Sequence, residues 1–251
     1  MNINWIGLYT QLRREVDRTR RVMVQTLLAP AISAALYIFI FGTVIGTKID
    51  DFAGVPYIQF VFPGVLMLSI INASFASASS SLYFMRFSGG IQEILIAPFS
   101  YVEMLVGFVG GAIVRALIVA ALISGVGLLF GAITMVNPVA FVLYIIAIAS
   151  IFALLGIIVA LWAESFEQLQ VLNTFVITPL TYLGGIFYSI TFLPEVAATL
   201  TRLNPFFYFA DGIRSSMIGY SEANSVIGLF VIVGILTALG VLVTQLFQRG
   251  W

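Results

Sequence analysis

A chain of 251 residues that is 61% hydrophobic and 9% charged, with a mean hydropathy of +1.11, is not an ordinary soluble domain, in which about a quarter of the residues are charged. Its net charge of zero offers no basic surface for nucleic acid, and the absence of cysteine and histidine removes disulfides, thiolate catalysis, imidazole relays and metal ligation through those residues. Successive apolar segments of roughly twenty residues call for a helical bundle rather than a barrel of alternating ten-residue strands, so the predicted fold is an all-α membrane protein with six transmembrane helices.

Taken in order, residues 3–21 place Trp5, Leu8, Tyr9, Leu12 and Val16 on one helical face, with Asn4, Gln11, Arg13, Arg14, Asp17 and Arg18 turned elsewhere. This pattern predicts an N-terminal interfacial amphipathic helix, lying among lipid headgroups and ending in the basic Arg18, Arg20, Arg21 cluster. The arm is polar and no small-residue cleavage site follows a short apolar core, so the sequence reads as mature from Met1 rather than as a signal peptide. The first span is 22–45, with Pro30 as a kink. The second is 57–84, and its half from Asn72 to Ser81 is crowded with small residues that favour close helix packing over a polar substrate lining.

A short helix bounded by Gly89-Gly90 and Pro98 follows, and the third span is 101–130, with Gly107, Gly110 and Gly111 near its start. It contains Arg115, whose burial in a bilayer costs about 2.5–3.5 kcal/mol on insertion scales, so it must find a partner or reach water. Glu103, three turns back, is one candidate partner, and snorkelling to the interface is the alternative. The fourth span is 138–162, the fifth 169–188 and the sixth 225–247. From Ile177 to Arg214, beginning inside the fifth span, runs an interrupted apolar stretch, broken at Gly184-Gly185, Leu193-Pro194 and Asn204-Pro205. Such backbone is tolerated at membrane depth only inside protein or beside a cavity. Its aromatic run Phe206, Phe207, Tyr208, Phe209 reads first as an interface belt and second as an outer gate, and Asp211 and Arg214 stand at pairing distance, i and i+3.

Six spans put both termini on one side. Arg13, Arg14, Arg18, Arg20, Arg21, Arg86 and Arg249 fall on that side, against Lys48, Arg202 and Arg214 opposite, so both termini are expected in the cytoplasm. Catalytic constellations are missing: the one lysine, Lys48, follows Thr47 rather than glycine, so there is no P-loop, and there is no GxSxG or HExxH. No metal site or bound cofactor is expected of this chain. A bundle without chemistry reads as a transport pathway driven by a partner or by an ion gradient. For the second, an ion-gradient-driven secondary transporter, Asp211 and Arg115 are the sole ionisable candidates.

Ile177, Leu180, Leu183, Gly184 and Ile186, then Leu193-Pro194, then Pro205, Phe206, Tyr208 and Arg214, resemble the signature of the ABC-2 type integral membrane proteins. These are permease subunits of bacterial ATP-binding-cassette exporters. The layout of the whole chain is similar too, and within the family it looks like the small permeases grouped with drug and Nod-factor exporters. The resemblance implies a homodimer of half-transporters in the bacterial inner membrane that binds two copies of a cytoplasmic ABC ATPase, on which ATP and Mg would reside. It implies a coupling helix seated on that ATPase, carried by Ser88, Gly89, Gly90, Ile91, Glu93, Ile94, Leu95 and Pro98. It also implies a re-entrant helical hairpin over 189–223 between spans five and six, closing the outer end of the path through Gly184, Gly185, Pro194, Pro205, Tyr208, Asp211 and Arg214. Charge-poor spans rich in Phe, Leu and Ile favour an amphipathic substrate such as a drug, a lipid or a lipid-linked glycan.

Overall fold

The computed structural model describes residues 4–46, 54–92 and 100–249, and among these the chain is helical throughout. Helix α1 (Trp5–Arg21) is capped by the Asn4 side chain, which accepts from the Gly7 amide. The chain then bends by 62° into the next helix, α2 (Met23–Phe39), which runs through Pro30 and widens to π winding over Ile40–Ile45. Helix α3 is Tyr57–Phe87 and α4 is Tyr101–Leu129. The start of α4 is fixed by a capping box, in which Ser100 accepts from the Glu103 amide while the Glu103 carboxylate accepts from the Ser100 amide. Helix α5 (Pro138–Trp162) opens with proline at its first position and Asn137 as cap, the arrangement that costs no helical hydrogen bond.

The next segment is not one helix. It comprises α6 (Gln168–Leu172), a π turn (Asn173–Ile177) and α7 (Thr178–Tyr182). The chain then leaves helical geometry until a 3₁₀ turn at Ile190–Phe192, followed by α8 (Glu195–Leu203), α9 (Pro205–Ile218) and α10 (Ser225–Gln248). Asn204 separates α8 from α9 and caps α9 through the Phe206 amide.

Among the described residues four helices are long and apolar enough to cross a membrane: α3, α4, α5 and α10. The expected first span is helical, and the expected fifth ends at Tyr182 rather than 188. In both, π winding interrupts the α-helix, so neither forms one unbroken α-helix of spanning length. Helix α3 is the axis of the bundle: 78% of its apolar window is buried inside the protein, against 17% for α10. Since hydrocarbon is as apolar as leucine, burial there reports packing, not hydrophobic drive. Outward-facing Leu143, Phe230 and Val233 are what a lipid-facing surface requires. The small-residue half of α3 packs closely, with Ser74, Ser77 and Ser79 buried and Ser74 returning its hydroxyl to the Ile70 and Ile71 carbonyls.

The N-terminal helix meets protein through part of its polar face. Trp5 and Tyr9 are exposed, while Gln11, Glu15 and Thr19 are buried against protein. Gln11 lies over Gly107, Leu12 over Gly110 and Glu15 over Gly111. A Cβ at any of these glycines would come within 2.4–2.5 Å of the α1 side chain above it, so the glycines form a seat. The register advances four residues on both helices, so α1 runs alongside the first turns of α4. The docked polar face satisfies its charged groups there, while the Gln11 Nε2 is buried without a partner among the described residues. Ser81 donates to the Glu15 carboxylate at 2.6 Å, Arg18 pairs with Glu15 at 3.1 Å, and Arg18 donates to the Ser77 carbonyl and the Ser80 hydroxyl.

Candidate functional site

The break after α7 is built from two glycines. Gly185 has φ +78°, a backbone conformation that only glycine adopts without strain, and Gly184 lets Phe206 approach so closely that a Cβ would meet it at 2.9 Å. The freed carbonyls of this break are taken up by Arg214 of α9. Its side chain is fully buried, donates to the Gly185 carbonyl at 2.7 Å and the Phe60 carbonyl of α3 at 3.3 Å, and lies 3.9 Å over the Phe60 ring. The Tyr57 hydroxyl adds a bond to the Phe187 carbonyl, and the Asn204 amide donates to the Leu180 carbonyl. Irregular backbone inside a bundle needs such internal partners.

Asp211 does not pair with Arg214. Among the described residues the ion pairs are Arg13–Asp17, Arg18–Glu15 and Arg20–Asp17. The Asp211 carboxylate instead accepts from the Ser221 hydroxyl at 2.6 Å and the Glu222 amide at 2.7 Å, fastening the loop before α10. One helical turn separates the two residues, yet Arg214 reaches toward α3 and the glycine break while Asp211 reaches to the loop, each claimed by backbone. The aromatic run also departs from the belt reading. Phe206, Phe207 and Phe209 are core residues, with Phe206 and Phe209 packed on Phe152 of α5, so they cannot line a lipid–water interface; Tyr208 alone is half-buried. Pro194 caps α8 and Pro205 opens α9, so both prolines stand at helix starts.

Beside this fastened break lies a groove of about 450 Å³ between α2, α3, α4 and α7. Ser69 and Asn72 of α3 and Arg115 of α4 supply its polar wall. Its edge is closed by the Tyr37 and Tyr182 hydroxyls, 3.3 Å apart, backed by Phe187 stacked on Phe41 at 4.7 Å and on both tyrosines. Asn173 of the π turn donates to the Asn72 side chain at 3.0 Å, joining the broken helix to α3. Glu103 is not the partner of Arg115, because the α4 cap and the Asn4 amide occupy its carboxylate. Asn72, Asn173, Tyr37 and Tyr182 were not singled out from sequence. The available signal is a side-chain amide within each apolar stretch, Asn72 and Asn173, which must find a partner in a bilayer.

At the other end of α3, Ser88 caps the helix, Gly89 turns with φ +76°, and the chain becomes helical again from Gly90. The Gln92 amide donates to the Gly89 carbonyl, and Ile91 packs partly against the bundle. Glu93, Ile94, Leu95 and Pro98 lie outside the described residues. Thus the structure groups Gly184, Gly185, Pro205 and Arg214 around one break and sets Asp211 on the neighbouring loop. Among the described residues no cluster of three acidic side chains could hold a metal.

Long apolar helices around a polar groove, flanked by a helix broken and refastened inside the bundle, define a multi-pass membrane protein of the transport type. The chain belongs to the ABC-2 type transporter family, whose model it matches over residues 7–218. It is 36% identical to the inner membrane transport permease YadH of Escherichia coli K12 over 250 residues, covering 100% of this chain and 98% of the relative. It is 28% identical to nodulation protein J of Rhizobium meliloti over 218 residues, covering 86% and 82% of the two chains. A second nodulation protein J, from Rhizobium leguminosarum bv. viciae, is 23% identical over 255 residues, 98% and 96% of the two. Membership of this family implies an ABC ATPase as partner.

Proposed function

We propose that the chain is the permease half-subunit of an ATP-binding-cassette exporter in a bacterial inner membrane. Two copies form the translocation path as a homodimer, and two copies of a separate cytoplasmic ATPase drive it. The observation that carries this reading is the family match across 7–218 together with full-length likeness to a transport permease. The chain crosses the membrane six times with both termini cytoplasmic, the spans at 23–45 and 168–182 being completed by their π segments. The α1 helix sits at the cytoplasmic interface with Trp5 and Tyr9 toward lipid and its polar face on α4.

In this reading the segment from Ser88 to Pro98 is the coupling helix, pressed on the ATPase through the face of Ile94 and Leu95. The segment 189–223 is the re-entrant cap on the outer side, held by Arg214 and Asp211. The groove beneath Tyr37 and Tyr182 is half of the path, and the second subunit supplies the other half. An amphipathic substrate suits a wall that combines Val65 and Leu68 with Ser69 and Asn72. The chain has no ATPase chemistry of its own to contribute; ATP and Mg belong to the partner.

The test is co-purification of the chain with a cytoplasmic ABC ATPase from the same organism. Light scattering on the detergent-solubilised complex is expected to give two copies of each. A chain that purifies as a stable monomer, with no nucleotide-dependent association with that ATPase, contradicts the proposal.

A further inference from the structure

We propose that Arg115 is an anion-binding residue, and that the groove it lines takes the phosphate or carboxylate head of an amphipathic molecule. The inference rests on the permease reading above and narrows its substrate class. Arg115 stands at the midpoint of α4, fourteen residues, about 21 Å, from either end. It is one turn beyond the glycine seat that holds α1. Among the described residues no acceptor takes a hydrogen bond from it, and its Nε is buried without a partner. This is costly: an ionisable side chain inside an apolar bundle is retained where it meets a partner, water or a ligand.

The neighbouring charges do not neutralise it. The charge that acts on it is that of Arg18, of the same sign. The carboxylate beside Arg18, Glu15, is already engaged by Arg18 and Ser81. Glu15, Arg18 and Arg115 therefore sum to one positive charge, and of the three only Arg115 reaches the groove, whose lining residues include no carboxylate.

The remaining polar groups of the groove point the same way. Tyr37 and Tyr182 share one hydrogen bond between their hydroxyls, so one of their two protons is free for another acceptor. Asn72 gives one amide proton to the Leu68 carbonyl and accepts from Asn173 through its oxygen, and Ser69 donates to the Val65 carbonyl, so both are neutral groups already tied into the bundle. The guanidinium and one phenol proton are unfilled donors, and Arg115 is the one charged side chain among the lining residues. A guanidinium fork matches a phosphate or carboxylate in two parallel hydrogen bonds and repels a cation. A volume of about 450 Å³ holds such a head with part of an apolar chain against Ala29, Pro30, Val65 and Leu68.

The experiment uses the full chain in phosphatidylcholine nanodiscs without ATPase. Three probes with the same fluorescent dodecyl tail are compared by anisotropy: a phosphate, an alcohol and a trimethylammonium. Wild type is expected to bind the phosphate tightest. Arg115→Gln is expected to weaken the phosphate by about tenfold or more, the effect of losing charged hydrogen bonds, while the alcohol is unchanged. Arg115→Lys, which keeps the charge and loses the fork, is expected to fall between.

Competition by millimolar inorganic phosphate would assign the site to a free anion; failure to compete would assign it to the amphipath, as proposed. Because no group among the described residues is bonded to Arg115, Arg115→Gln is also expected to melt at or above the wild-type temperature. A phosphate affinity unchanged in Arg115→Gln, or a lowered melting temperature showing the side chain to be structural, overturns the inference. Binding is read without the ATPase, so a chain that couples to its ATPase but binds all three probes alike loses the anion site and keeps the permease reading. A chain that binds the phosphate but never couples loses the reading and keeps the site.

Discussion

Removing Arg214 should uncouple the glycine break from α3. In Arg214→Ala two carbonyls, those of Gly185 and Phe60, lose charge-assisted hydrogen bonds at 2.7 and 3.3 Å and stay buried. Bonds to a charged group contribute about 1.5–3 kcal/mol each, and the stacking on Phe60 adds about 2 kcal/mol when desolvated. Against this stands relief from burying a guanidinium that has no ion-pair partner and whose Nη1 is unsatisfied. The balance is a destabilisation of about 3 kcal/mol. At roughly 2–4 °C per kcal/mol for a chain of this size, thermal unfolding in detergent should fall by roughly 6–12 °C.

Arg214→Lys, with one ammonium to serve both carbonyls and no plane to stack on Phe60, should lose roughly half as much. The assay is loss of the monodisperse size-exclusion peak after heating, with protein level in the membrane as a second readout. An Arg214→Ala variant that melts with wild type would show that the side chain does not hold the break, and would refute its structural role.

Three further outcomes follow from the same packing. Gly111→Ala places a methyl 2.4 Å from Glu15, whereas a Cβ at Gly125 meets nothing within 4 Å. The first should cost about 1–3 kcal/mol by overpacking, while Gly125→Ala should be neutral or stabilising by up to about 1 kcal/mol through helix propensity; equal melting temperatures would argue against the α1 seat. Asp211→Ala, which strands the Glu222 amide and the Ser221 hydroxyl, should destabilise by about 2–3 kcal/mol. Asp211→Asn, which keeps one acceptor, should destabilise by less, with the order Ala below Asn below wild type in the heating assay. Glu93→Ala, and Ile94 and Leu95 changed to serine, should lower permease-stimulated ATP hydrolysis severalfold while leaving the melting temperature of the bundle unchanged; normal coupling in these variants would remove the segment from the ATPase interface.

The uninterrupted spans were legible because their ends carry chemistry. Ser100 with Glu103, Asn137 with Pro138, and Asn224 mark helix starts where the expected bounds and the observed ones agree to the residue. The breaks at Gly184-Gly185, Pro194 and Asn204-Pro205 were legible for the same reason.

What hydropathy did not convey is that part of the polar face of α1 meets protein. In a soluble protein the aromatic face of α1 would be buried. Beside lipid that face can stay outside, and the polar face of Gln11 and Glu15 becomes the one that needs protein. The partners of Arg214 were hidden because they are backbone carbonyls, which any sequence supplies, and the i, i+3 spacing to Asp211 offered a false alternative. The groove is not legible in the sequence because Tyr37, Asn72, Arg115 and Tyr182 are far apart in the chain and only Arg115 stands out alone.

The central claim, an ABC export permease driven by a partner ATPase, is tested most directly in inverted membrane vesicles containing the chain and that ATPase. Uptake of a fluorescent amphipath is measured with ATP while the proton and sodium gradients are collapsed by ionophores. The account predicts uptake that requires both proteins, persists with ionophores and disappears when the ATPase carries an inactivating substitution in its nucleotide site. Uptake that survives that substitution and vanishes with the ionophores would contradict it, and would make the chain a gradient-driven transporter instead.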